Sequence, residues 1–211
     1  MNKAKSVVDY YVLNNKLKYI IRTGWKHWGV KQERLESVAE HVYGTLSLAI
    51  AMYSQYEYDL DLKKVLYMLS VHELEEIIIG DLTNWEIDKE EKLKKGHEAI
   101  KYILKELLNN KEIEDLILEF DNRETKEAKF AYHIDKVECD LQCKLYDEEN
   151  CVDIKHQENN PSFSDPKVQE LLVKENGNWS NMWIEYDKSK HFDDKNFIDL
   201  LDYIKHNKIN G

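Results

Sequence analysis

The chain has 211 residues, enough for one domain with a sizeable core, and its 42% hydrophobic and 34% charged residues fit a soluble, helix-rich protein. A formal net charge of −11 argues against a long nucleic acid as partner, because polymer affinity rests on neutralised phosphates. It leaves a single nucleotide open, since one metal ion and one or two basic side chains can reverse the local field. No apolar run approaches the roughly 20 residues of a membrane span, and the N-terminus lacks the apolar core and small-residue cleavage site of a secretion signal. The expectation is a cytoplasmic protein with no membrane partner. Three cysteines, Cys139, Cys143 and Cys151, suit a reducing compartment better than a disulfide framework.

With seven glycines and two prolines, both prolines within 161–166, little interrupts helix formation, and the predicted fold class is all-α. Residues 5–21 read as an amphipathic helix with a stripe of Val8, Tyr11, Val12, Leu13, Leu17, Ile20 and Ile21. Residues 23–36 read as a loop. Ser37-Val38-Ala39-Glu40 is a capping box that opens a helix to about Tyr56, with Val42, Leu46, Ala49, Ile50 and Tyr53 inside. A third helix is expected from Asp61 through Ile79, stopping at Gly80. Helices follow over 88–109, 111–121 and, at greater length, 124–148. A polar loop covers 149–166, and weaker helices cover 166–175 and 193–207. The Gly-Asn-Trp-Ser-Asn-Met-Trp stretch at 177–183 has no assignable pattern. With no internal repeat, the expected organisation is one helical domain over 1–211, with its motif core at about 10–145 and a helical extension over about 150–211.

Three places carry chemistry. On the third helix His72 and Glu76 are four apart and Glu73 and Glu76 three apart, so one face can gather all three among Leu69, Leu74 and the run 77–79. Such groups in an apolar helix need partners or a metal; taken alone, they also read as a solvated acidic edge. His41 follows the capping box and by itself reads as structural. Asp135 shares a face with Ala128, Ala131 and Cys139, and a carboxylate there needs a cation or a donor. Lys136 is not expected to supply it, because adjacent helix residues point apart; a salt bridge elsewhere is the alternative.

Together these pieces resemble the HD superfamily, whose signature is H…HD…D. Arg22-Thr23-Gly24-Trp25, then Glu36-Ser37-Val38-Ala39-Glu40-His41, then His72-Glu73-Leu74-Glu75-Glu76 with Gly80-Asp81-Leu82-Thr83, resemble its 5'-deoxynucleotidase branch in order and type. Lys129, six residues before Asp135, extends the likeness, which covers residues 10–145. The resemblance implies an HD helical bundle and one divalent transition metal (Mn, Co, Fe, Ni or Zn) held by His41, His72, Glu73 and Asp135, with a second, weaker Mg site. It implies Glu76 and Asp81 beside the pocket, orienting or deprotonating water, and Arg22 clamping the phosphate of a nucleotide or other phosphate ester. Trp25 packs on base or sugar, or else pins the 23–36 loop, and the Asp81–Thr83 segment, with Leu82, reaches toward the sugar. A homodimer is implied as well.

One departure stands out. The family has Asp after the second His, whereas this chain has Glu73, longer by about 1.5 Å. Glu remains a hard oxygen donor, so metal binding and activity are expected to survive. Two other readings stay open: an HD phosphohydrolase acting on a different phosphate ester, and a metal-poor HD scaffold with a binding role. Cys139 and Cys143 are read as structural thiols. His27, His97, His133, His156, His191 and His206 have no companions at ligand spacing.

Overall fold

The computed structural model describes residues 2–191 and 193–210, without the side chains of Lys190 and His191, so the expectation for His191 falls outside what is described. The described residues are helical throughout, apart from turns and one isolated antiparallel bridge between Ile21 and Ser37. No described helix is long and apolar enough to cross a membrane. The chain divides into two compact units, one of residues 1–23 and 36–132, the other of residues 24–35 and 133–211.

The first unit opens with α1 (Lys3–Asn14) and a 3-10 turn (Asn15–Lys18), where one continuous helix to residue 21 is expected. The predicted stripe holds toward its end, where Leu17 is buried and Leu13, Ile20 and Ile21 are half-buried, and fails at its start. Val8, Tyr11 and Val12 are exposed, while Ser6 and Leu17 are buried. The short α2 (Thr23–His27) occupies part of the predicted loop. After it come α3 (Val38–Gln55), α4 (Leu62–Val71), α5 (Glu76–Ile79), α6 (Lys89–Leu104) and α7 (Asn110–Asn122). Local chemistry sets their ends. The Asp61 carboxylate accepts from the amides of Lys63 and Lys64 at 2.9 and 3.3 Å, and Asp88 caps α6 in the same way through Glu90. Arg123, in the left-handed region at φ 56°, ends α7. The core joins Leu17, Val38, Val71, Leu74, Ile100, Ile103, Leu104, Ile113 and Ile117, so α3, α4, α6 and α7 hold the segments between them in place.

The long α8 (Lys126–Glu148) runs unbroken, its residues to Tyr132 grouping with the first unit and the rest with the second. The second unit adds a 3-10 turn (Pro161–Ser164), α9 (Pro166–Lys174), α10 (Trp179–His191) and α11 (Lys195–His206). Its interior is aromatic. Trp28 lies 5.7 Å from Trp179, 5.9 Å from Trp183 and 6.1 Å from Phe163, ring centre to ring centre. The unassigned stretch at 177–183 is the start of α10, capped by the Asn178 side chain, which accepts from the Asn181 amide at 2.7 Å. Trp179, Ser180, Met182 and Ile184 are all fully buried, and the polar side, with Asn181, Glu185, Lys188 and Ser189, lies mostly beyond the unassigned stretch.

Candidate metal centre

Residues 20–22 run antiparallel to residues 36–38. The Val38 amide donates to the Ile20 carbonyl at 2.8 Å and the Arg22 amide to the Glu36 carbonyl at 3.0 Å. This pairing fixes Arg22 beside the start of α3. There the capping box forms as read from sequence: the Glu40 amide donates to Ser37 Oγ at 3.3 Å and the Ser37 amide to Glu40 Oε2 at 2.8 Å. His41, on the first turn of α3, is fully buried.

The expected single helix through His72 is interrupted. α4 ends at Val71, residues 72–75 form a tight turn, and α5 resumes at Glu76. Bonds across three residues mark the turn, with Leu74 donating to Val71 and Glu76 to Glu73, both at 3.2 Å. The His72 ring makes a 2.7 Å contact from Nδ1 to the Leu69 carbonyl. A carbonyl only accepts, so Nδ1 carries the proton and Nε2 presents its lone pair. Phe120 of α7 packs on this ring in an edge arrangement, 5.2 Å between ring centres.

The two imidazoles lie 5.6 Å apart, centre to centre. Between them, Glu73 Oε1 sits 3.6 Å from His41 Nε2 and 3.7 Å from His72 Nε2. Arg22 Nη1 approaches the same Glu73 oxygen at 3.3 Å and Asp81 Oδ1 at 3.7 Å. Asp81 is placed by Gly80, whose φ of 77° and ψ of 166° suit glycine, and by the Thr23 amide, which donates to Asp81 Oδ2. Glu76 is buried at 1% exposure, with neither oxygen hydrogen-bonded. Burial, then the negative charges of Glu73 and Asp81, push its carboxyl well above the usual carboxylate range, while Arg22 and Lys92 pull it down. Burial and Glu73 likewise raise Glu75 to about 8. Leu82 accepts a 2.7 Å bond from Lys92 at its carbonyl, and the Thr83 hydroxyl is engaged by Glu86 at 2.8 Å.

Two predicted residues belong to the second unit. Asp135 is buried on α8, one turn beyond the fully buried Ala131. Lys136 Nζ lies 2.8 Å from Asp135 Oδ2, contrary to the expectation that neighbours point apart, because the four-carbon lysine stem is long enough to curl back. Trp25 is buried, edge-on to Tyr146 at 5.4 Å and Trp179 at 6.1 Å. These contacts give it the packing role that the sequence held open. Sequence reading missed Lys92, which spacing does not distinguish from its many lysine neighbours, and the 2.7 Å contact of His97 Nε2 with Asp121 Oδ2.

A family model described as HD domain matches residues 14–175, most of the chain. The chain belongs to the HD-domain family. It is 35% identical over 158 residues to the 5'-deoxynucleotidase hdd1 of Schizosaccharomyces pombe, covering 70% of this chain and 76% of that protein. It is 32% identical over 148 residues to the human 5'-deoxynucleotidase HDDC2, covering 69% and 70% of the two chains. A solved protein from Pyrococcus horikoshii shares the fold at TM-score 0.66 and 21% identity, over 94% of this chain and 98% of that one.

In this HD domain, His41, His72 and Glu73 offer donor atoms that all lie within 4.8 Å of one another. Bonds near 2.0–2.2 Å place neighbouring ligands about 3.0–3.4 Å apart, so a small inward movement suffices for a shared ion. Two imidazoles and a carboxylate fit a borderline transition metal better than Ca or Mg. The longer acid at position 73 therefore does not break the set, since its oxygen already stands between both rings.

Proposed function

We propose that this protein is a metal-dependent phosphohydrolase that removes the 5'-phosphate from deoxyribonucleoside monophosphates. The observation that carries the reading is the meeting of His41, His72 and Glu73 with the Arg22 guanidinium, 3.3 Å from the Glu73 oxygen. Asp135 completes the donor set, by the HD pattern and by its buried position on the unbroken α8. A bound divalent ion supplies Lewis-acid polarisation of a phosphate oxygen and acidifies a water.

The chain's own residues supply the rest. Arg22 has the planar fork that matches two phosphate oxygens, and phosphate entry exchanges its hold on Glu73 for one on the substrate. Glu76, buried and without a hydrogen-bond donor, is suited to take a proton from the attacking water. Asp81, braced by the Thr23 amide, orients that water or the sugar. Leu82 and Thr83 line the approach to the sugar, while Trp25, buried against Tyr146 and Trp179, serves by packing rather than by touching the nucleoside. The deoxyribose preference comes from the relatives' names. Within the same reading, the protein is cytoplasmic and homodimeric, acts as one HD-type domain over 1–211, and takes a second, weaker Mg ion.

The test is phosphate release from dCMP, dAMP, dTMP and dUMP with added Mn or Co, beside the ribonucleotides and nucleoside di- and triphosphates. Hydrolysis of the deoxymonophosphates that collapses in His72→Ala is the expected result. A preference for another phosphate ester would replace the substrate, and equal rates in wild type and variant would remove the metal assignment.

A further inference from the structure

We propose that Lys92 is a positioning residue for this reaction, tying the turn that carries Asp81 to the carboxylate of Glu76; the inference rests on the phosphohydrolase reading. Lys92 closes the first turn of α6, where its amide donates to the Asp88 carbonyl at 2.9 Å. Its backbone is therefore fixed by a capped helix. From there its ammonium donates to the Leu82 carbonyl at 2.7 Å and lies 3.9 Å from Glu76 Oε1. One cation thus touches both sides of the Gly80 hinge: the helix α5 before it and the segment 81–83 after it.

Three physical points favour a positioning role. Glu76 is buried and accepts no hydrogen bond, so the ammonium 3.9 Å away is placed to orient its carboxyl group. Gly80 has φ 77° and the widest conformational freedom of any residue, so the following segment needs an outside tie to hold one shape. The Leu82 carbonyl, one residue past Asp81, is where Lys92 supplies that tie. Arg22 also attracts the Glu76 carboxylate, but its Nη1 is drawn to Glu73 and Asp81, and it is Lys92 that joins Glu76 to the Leu82 carbonyl. The Lys92 side chain keeps 28% exposure while its ammonium is engaged by the Leu82 carbonyl.

Lys92→Met keeps the apolar stem and removes the charge. With metal content and melting temperature close to wild type, kcat on the best deoxymonophosphate should fall about 10- to 100-fold, the range for losing one charged hydrogen bond. KM should stay within about threefold, since the residue acts through Glu76 and Asp81 rather than on the phosphate. Lys92→Arg should recover part of kcat. In the metal-free protein, amide hydrogen exchange over residues 80–87 should quicken about tenfold in Lys92→Met, with α3 and α4 unchanged. A kcat within twofold of wild type, or a loss confined to KM, overturns the positioning role. Unchanged exchange at 80–87 overturns it as well. If wild type hydrolyses no nucleotide, the phosphohydrolase reading fails, and the exchange measurement still decides whether Lys92 holds the turn.

Discussion

Glu73 shows how one methylene is absorbed. Its oxygen reaches a point 3.3 Å from Arg22, 3.6 Å from His41 and 3.7 Å from His72. An aspartate at the same backbone position would withdraw that oxygen by about 1.5 Å, out of hydrogen-bond range of the guanidinium. Glu73→Asp is therefore predicted to weaken binding of the transition metal by about tenfold and to lower turnover, as titration calorimetry and steady-state rates would show; higher turnover would mean that Glu is merely tolerated here. Arg22→Ala should keep the metal and lose about 100-fold or more in kcat/KM, the scale of one charged clamp on a transferring phosphate. Full activity without Arg22 would remove the clamp. At this scale the sequence was informative where residue type and order carry the chemistry, as for His41, His72 and Arg22. It was silent on Lys92 and on the curl of Lys136 onto Asp135. The reach of a long flexible side chain is set by tertiary surroundings, and spacing does not encode it.

Helix ends were readable where a side chain closes its own backbone. The capping box at Ser37 was predicted and is present, with both reciprocal bonds. Ser37→Ala removes one of them and should cost about 1 kcal/mol, lowering the melting temperature by roughly 2–4 °C. An unchanged melt would show that the antiparallel pairing of 20–22 with 36–38 alone fixes the start of α3. Two elements escaped the pattern. The segment 61–79 has continuous helical periodicity, yet breaks at His72, where the ring turns back on the Leu69 carbonyl and the backbone tightens. No proline or glycine announces that break. The α10 helix was hard to read for a different reason: in its first turns the buried Trp179, Ser180 and Met182 spread over a wide arc, and its polar side, Asn181, Glu185 and Lys188, emerges mostly beyond residue 183. The apolar stripe over 5–21 was right at Leu13, Leu17, Ile20 and Ile21 and wrong at Val8, Tyr11 and Val12, which are exposed on α1.

Across the whole molecule, the all-helical class followed from the scarcity of glycine and proline, and the matched family agrees with it. The division into two compact units did not follow, because α8 crosses it without a change in composition. The surplus of acid also shapes stability. Asp140, buried on α8 with one oxygen unpartnered, is raised well above the usual carboxylate range by burial and by Asp187, against the pull of Lys136. An acid raised on folding keeps its proton when the unfolded chain has lost it. Its contribution to stability is therefore full below about pH 4 and declines as pH rises toward the folded value. Asp140→Asn mimics the protonated form, so it should melt a few degrees above wild type at pH 8 and together with it at pH 4. A gap that is constant across pH would contradict this account.

The central claim, that imidazoles and an acid from separate segments converge on one cation, is tested most directly by metal stoichiometry. After stripping with a chelator and repletion with Mn or Co, elemental analysis should find a tightly held ion in each wild-type chain. It should find that ion lost from folded His72→Ala and from folded His41→Ala. Equal retention by wild type and both variants would contradict the account.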